Sequence, residues 1–262
     1  MTQYDVTVIG AGVVGGMIAR RLAAYDLKLC IVEKENDVAR GATAANSAIV
    51  HAGFDAKVGS LKAKMNVRGS LMMEKICEEL GVSYLRNGSL VVAFEDEREE
   101  VEAIYRRGLE NGVEGLRILE REELFRMEPA LNPELACALY APTGAIVCPY
   151  GLTIAAVGNA MDNGAELALN FEVRAIERCE DGFLLTAADG RTVKTRYLVN
   201  SAGLYSDEIA RMLGDDSFRV HPRRGEYMLL DRESGGVVGC TIFHTPTKMA
   251  RASSSAPPST AI

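Results

Sequence analysis

Tryptophan is absent from these 262 residues, and aromatic residues make up only 6%. A stacking surface for nucleic-acid bases is therefore not expected. Positive charge is not in excess either. Lys and Arg number 29 against 36 Asp and Glu, giving a net charge of -7 and a pI near 5.2. Binding a phosphate backbone needs a basic face, so nucleic acid is not expected as a partner. A small anionic ligand held by a few local cations stays compatible with that balance. No apolar run approaches the ~20 residues of a membrane span. A transmembrane segment is not expected, and peripheral membrane contact is left open. The first strand-like run begins at Asp5, so a signal peptide is not expected. Six cysteines (Cys30, Cys77, Cys137, Cys148, Cys179, Cys240) lie far apart without a Cys-x-x-Cys pair. No metal site is expected from that spacing, and scattered reduced thiols point to a cytoplasmic location.

What is present begins at the N-terminus. Asp5–Ile9 is a short β-rich run, and the glycines Gly10, Gly12 and Gly15 follow it directly. Val14 to Ala24 then reads as a helix with Ile18 and Leu22 on one face. Lys28–Val32 is a second strand, ending at Glu33, eighteen residues beyond Gly15. A glycine triplet alone is a weak signal. Strand before, helix after and an acid at this distance make it a Rossmann-like dinucleotide turn. Gly10 allows the tight turn, Gly12 the approach of a pyrophosphate, and Gly15 close packing of helix on strand. Glu33 is placed to accept hydrogen bonds from ribose hydroxyls, with Lys34 next to it in the cofactor set.

Both NAD and FAD use this unit. An NAD dehydrogenase continues with further parallel βα units, whereas this chain inserts a polar loop (Gly41–Gly53), a long helix and adjacent strands. The helix is expected from a Ser60 cap to a Gly81 stop, with Leu61, Met65, Met72, Ile76 and Leu80 as its core-facing stripe. Val82–Leu85 and Ser89–Phe94 around Arg86-Asn87-Gly88 read as a hairpin. Later strands lead to Thr192–Val199, which runs into Ala202-Gly203, and Arg219–Asp231 reads as another strand region. The return to a strand ending in Ala-Gly points to FAD. The fold class is therefore α/β (α+β overall), with a discontinuous nucleotide domain interleaved with a smaller sheet-based domain. The expected division is 1–81 with 149–214, and 82–148 with 215–249.

Three phrases carry a family resemblance: Asn46 to Gly53, Gly59 to Lys64, and Asn87 to Leu90. With Pro222 to Tyr227 and Leu198 to Asp207, they make residues 3–249 resemble the FAD-dependent oxidoreductases of the D-amino acid oxidase superfamily. Within it the chain looks most like glycerol-3-phosphate dehydrogenases, then L-2-hydroxyglutarate oxidases, and amine-oxidising relatives third. The resemblance implies that Thr43 and Ser47 lie along the pyrophosphate and ribityl chain, that Val173 meets adenine through its backbone, and that Ala202 and Gly203 close over the dinucleotide. It places His51 near the flavin, as proton acceptor from a substrate hydroxyl, as a residue that positions the ring, or as a histidine simply packed in a strand; an imidazole suits proton transfer near neutral pH. Arg223, Arg224 and Tyr227 lie on the implied substrate strand, where alternation lets at most one Arg of the pair, Arg223 sharing a face with Tyr227, reach an anionic group; the alternative is a solvent-facing pair. The implied reaction is oxidation of a CH–OH group of a small anionic substrate, glycerol 3-phosphate or a 2-hydroxy acid. The electron acceptor is left open among oxygen, a quinone and an iron–sulfur partner.

The ending departs from the family. Residues 250–262 read Ala-Arg-Ala-Ser-Ser-Ser-Ala-Pro-Pro-Ser-Thr-Ala-Ile, the composition of an unstructured tail. A reading-frame slip also generates this string. Codons for Gly-Lys-Gly-Ile-Leu-Val-Gly-Pro-Thr-Val-His-Gly-Asn resemble the family's continuation and, less their first base, encode Ala250 to Ala261. The expectation is a chain incomplete at its C-terminus. Its non-enzyme alternative is a fragment with at most weak FAD binding.

Overall fold

The structure, a computed structural model, describes residues 3–231, 235–245 and 254–255. The chain packs as two units. One takes the residues up to Asn46 with Pro149–Tyr227, and the other takes Ser47–Cys148 with the described residues from Met228 onward.

In the first unit, strand β1 (Gln3–Ile9) runs parallel to β2 (Leu29–Val32) on one side and to β12 (Thr192–Asn200) on the other. β9 (Glu166–Ala168) extends the parallel set beyond β2. Beyond β12, β11 (Gly182–Ala187) and β10 (Val173–Cys179) continue antiparallel, completing six strands. β2 is buried at all four positions, so both its faces must be covered. Alternation along the strand sorts its side chains. Leu29 and Ile31 join Val6, Val8 and Val157, while Cys30 and Val32 join Phe171, Leu185 and Ile209. Helices α1 (Val13–Leu22) and α5 (Pro149–Asp162) approach closely where Gly16 faces Val157 and Ala156. Ile209 comes from the short helix α6 (Ser206–Met212).

The second unit holds two sheets. One runs in the order β14 (Ser254–Ser255), β13 (Thr241–His244), β5 (Ser89–Ala93), β7 (Cys137–Ala141) and β6 (Arg117–Glu120). The other runs β3 (Ile49–Val50), β8 (Ala145–Val147) and β4 (Tyr84–Leu85). Helix α3 (Arg98–Glu110) lays Val101 and Ile104 on Val91 and Leu139. A short helix, α4 (Arg121–Met127), follows β6 and buries Leu124.

Four features differ from the sequence expectation. The hairpin across Val82–Phe94 does not form: β4 pairs with β8, and β5 pairs with β7. The turn between them is held instead by Gly88, whose amide donates to the Gly144 carbonyl at 2.9 Å. Helix α2 (Leu61–Leu80), expected in the first domain, belongs to the second unit, where the Ser70 hydroxyl donates to the Thr143 carbonyl at 3.4 Å.

The third concerns the face that α2 buries. Its ends are as expected, with Ser60 Oγ accepting the Ala63 amide at 3.1 Å and Gly81 as the stop. Its packing face is the opposite one. Ala63, Ser70 and Cys77 are buried, while Leu61, Met65 and Met72 are 72%, 43% and 47% exposed. Small side chains seven residues apart let the backbone approach its support, and this packing overrides the apolar stripe.

Finally, Arg219–Asp231 forms no strand, and its Met228 and Leu229 are almost fully exposed. A strand exists only where another backbone takes its hydrogen bonds, and none of the described strands pairs with this segment. Residues 250–253 and 256–262 of the expected tail lie outside the described residues, while Ser254–Ser255 pairs with Ile242–Phe243. Among the described residues no helix is long and apolar enough to cross a membrane.

Candidate functional site

The C-terminal ends of β1 and β2 open onto a cavity of about 360 Å³ within the first unit. Its floor is the turn from Gly10 to Gly12, which leads from β1 into α1. Gly10 takes φ +101°, and a Cβ there would stand 2.5 Å from the Ser201 carbonyl oxygen. Gly15 does not line the cavity but lies behind it. A Cβ on Gly15 would stand 1.9 Å from the Gly10 carbonyl oxygen. Only glycine lets α1 begin this close to β1. At Gly12 a Cβ would meet Thr43 Oγ1 at 3.1 Å, and that same hydroxyl accepts the Val13 amide at 3.0 Å.

Glu33 closes one wall. Its carboxylate accepts the Ala11 amide at 2.7 Å and the Glu35 amide at 3.0 Å, one on each oxygen. Each oxygen keeps a second lone pair for a ligand hydroxyl. Lys34 lies 4.0 Å from the centroid of the Tyr205 ring and 3.3 Å from the Glu35 carboxylate. The opposite wall follows β12: the Ser201 amide and hydroxyl both donate to the Ile9 carbonyl, and Ala202 and Gly203 continue along the cavity. Val173 lines it from the start of β10.

Of the residues singled out from the sequence, Gly10, Gly12, Glu33, Lys34, Thr43, Val173, Ala202 and Gly203 therefore line one cavity. Arg223 and Tyr227 belong to the same unit but do not line it; both are exposed. Ser47 and His51 belong to the second unit. The sequence reading missed Asn46, Phe171, Tyr205 and Met212 in the cavity wall. Phe171, Asn46 and Tyr205 were findable, each within or adjoining a segment already assigned to the cofactor, whereas Met212 carries no such signal.

The lining fits a dinucleotide. A Cβ at Gly10 would collide with backbone, the first turn of α1 carries no acidic residue, and the helix offers its N-terminal amides and positive dipole end. Glu33 supplies the complementary acceptor.

In the second unit, His51 follows β3. Asn66 Nδ2 donates to the His51 carbonyl at 2.7 Å, and the imidazole lies 5.6 Å from the Phe243 ring, tilted by 32°. Phe243 in turn meets Phe54 edge-on at 6.3 Å. Desolvation by this packing lowers the His51 pKa; Asp55 opposes the shift and Lys62 adds to it.

Comparison with known proteins adds three findings. The family model described as FAD-dependent oxidoreductase matches residues 5–253. A glycerol 3-phosphate dehydrogenase of Caloramator mitchellensis is 45% identical over 95% of this chain and 52% of its own length, and human mitochondrial L-2-hydroxyglutarate dehydrogenase is 33% identical over 94% and 56%. The chain thus spans about half the length of these relatives. Among solved structures, dithionite-reduced L-α-glycerophosphate oxidase of Mycoplasma pneumoniae with FAD bound superposes with a TM-score of 0.83 at 28% identity, over 95% of this chain and 66% of that one.

Proposed function

The chain belongs to the FAD-dependent oxidoreductase family, and from that membership we propose that it oxidises the CH–OH group of glycerol 3-phosphate. The likeness to the Caloramator protein carries the choice of substrate, since it exceeds the likeness to the human 2-hydroxyglutarate enzyme over nearly the same residues. L-2-Hydroxyglutarate is the second reading, resting on that other relative.

FAD is the cofactor of the family; when bound, it supplies a hydride acceptor at its flavin ring. The chain's own residues bind and orient. Gly10, Gly12 and the α1 amides would hold the diphosphate, and Gly15 keeps that helix end in place. Glu33 would accept from ribose hydroxyls, with Lys34 beside it. Thr43 would lie along the diphosphate, Val173 would present backbone to adenine, and Ala202 and Gly203 would close the far wall; the family resemblance assigns Ser47 to the ribityl chain. His51 takes the proton from the substrate hydroxyl at an imidazole nitrogen. Its lowered pKa keeps it neutral, and so able to accept, at pH 7. Arg223 and Tyr227 bind the substrate anion. The proposed location is the cytoplasm, in keeping with six free cysteines.

Reconstitution tests this reading. The purified chain mixed with FAD and desalted is expected to keep flavin absorbance, and anaerobic glycerol 3-phosphate is expected to bleach it. Bleaching by 2-hydroxyglutarate alone would move the assignment to the second reading. A protein that stays colourless would reject an FAD enzyme for this chain. Following oxygen uptake against dye reduction in the same preparation distinguishes the acceptors.

A further inference from the structure

Helix α2 turns its large apolar side chains outward. Leu61, Met65 and Met72 follow i, i+4, i+11 spacing along one line, on the side opposite the buried Ala63, Ser70 and Cys77. Val58, 42% exposed, extends that ridge just ahead of the helix. The charges around it are of one sign. Lys57, Lys62, Lys64 and Arg68 are exposed, and no Asp or Glu occurs from residue 56 to residue 73, in a chain of net charge -7. These four cations form no ion pair among the described residues. Of the three acids in the helix's other half, Glu74 pairs with Arg86 at 2.6 Å and Glu79 with Lys75 at 3.9 Å, while Glu78 is exposed in the last turn, beyond the cationic half.

We propose that the N-terminal half of α2, with Lys57 and Val58, docks the protein on an anionic lipid surface. The ridge Val58–Leu61–Met65–Met72 enters the headgroup boundary, and the four cations around it meet lipid phosphates. Long Lys and Arg stems suit that arrangement because their methylenes lie along apolar surface while the charge reaches outward. Charge complementarity selects this occupant: unpaired cations bordering an apolar line match an anionic interface, and the cytoplasmic leaflet carries such charge.

The absence of tryptophan supplies the test. Leu61→Trp creates a single indole at a 72% exposed position. Its emission is expected to shift to the blue when vesicles of phosphatidylglycerol and phosphatidylcholine are added, and the shift is expected to reverse in high salt. Phosphatidylcholine vesicles alone are expected to leave it unchanged. Lys62→Gln and Lys64→Gln are each expected to lower vesicle affinity about five-fold. Met65→Glu with Met72→Glu is expected to abolish co-sedimentation of the otherwise unaltered chain with anionic vesicles, leaving its thermal melt in place because both side chains face solvent. Three results would overturn the proposal: no shift with anionic vesicles, an equal shift with neutral ones, or a shift that grows with protein concentration without vesicles. The last would identify a second copy of the chain as the occupant.

Discussion

Ser201 and Ile9, 192 residues apart, are joined twice: the Ser201 amide donates to the Ile9 carbonyl at 3.0 Å and its hydroxyl donates to the same oxygen at 2.9 Å. The end of β12 is thereby fixed against the end of β1. The two glycine-bearing segments form one wall and floor because of this junction. The Gly10 turn has no room to relax, since its Cα faces the Ser201 carbonyl.

Gly15→Ala tests how tight the junction is. The new methyl would stand 1.9 Å from the Gly10 carbonyl oxygen and 2.8 Å from Ser201 Oγ. Backbone cannot step aside as a flexible side chain can, so a loss of about 3 kcal/mol is expected, at the upper end for overpacking. Gly158→Ala in α5 is the control, because nothing lies within 4 Å of its Cβ position. That change is expected to stabilise by roughly 0.5–1 kcal/mol through helix propensity. Urea unfolding of both variants decides the matter. Equal midpoints would contradict the close approach.

Glu33 holds the cavity wall as well as facing it. Glu33→Ala removes the acceptor of two amides, and bonds to a charged acceptor are worth about 2 kcal/mol. The expected result is lowered stability even without FAD, together with weaker retention of added FAD. Glu33→Gln keeps one carbonyl acceptor but turns an NH₂ toward an amide, so it is expected to fall between. If Glu33→Ala melted like the parent, the carboxylate would serve the ligand alone.

The glycine turn and Glu33 were legible in the sequence because backbone sterics dictate them: no other residue fits at Gly10 or Gly15, whatever packs around them. Helix ends were legible for the same local reason, as at Ser60. The burial face of α2 was not. Periodicity reports where apolar residues lie, and the identification of that line with the core fails when small residues such as Ala63 and Ser70 give a closer fit. The hairpin at Arg86-Asn87-Gly88 failed similarly, since strand partners are chosen by distant edges at β7 and β8. Thr43 entered only through family resemblance. Its contact with the Val13 amide joins residues thirty apart, and no local pattern announces that.

Acid is expected to weaken the fold through several surface carboxylates. Asp5 is held below the usual carboxylate range first by the Lys28 amide and then by Arg196, and Asp189 by the Arg191 amide and guanidinium. Lys194 does the same for Asp181, and Arg98 for Glu120. For each the folded pKa lies below the unfolded one. The unfolded chain therefore binds protons first as pH falls, and the stability present above about pH 4 is lost through the folded pKa values. In a His51→Gln background, which removes the histidine that titrates at higher pH, urea midpoints are expected to hold steady from pH 7 to 5 and then decline. Asp5→Asn is expected to flatten part of that decline. A midpoint unchanged down to pH 3 would show that these carboxylates contribute nothing.

His51 links stability and chemistry with one sign. Desolvation lowers its folded pKa below the ordinary value, Asp55 opposing and Lys62 assisting. The unfolded chain then binds its proton at the higher pH, so holding the ring, which keeps an exposed edge, in this partly desolvated setting contributes stability that is present above about pH 6.5 and lost as pH falls through the folded pKa. As the proposed proton acceptor, His51 must also be neutral to work. Turnover of the FAD-loaded chain is accordingly expected to rise with pH to a plateau already reached at pH 7, with its midpoint below about 6.5. Lys62→Met removes a nearby positive charge and is expected to move that midpoint upward. It should move the His51 signal in a proton NMR titration by the same amount, a readout that needs no activity. His51→Gln is expected to keep bound flavin while turnover falls by about 10²–10⁴. A variant that turned over normally would return His51 to a purely positional role beside Phe243.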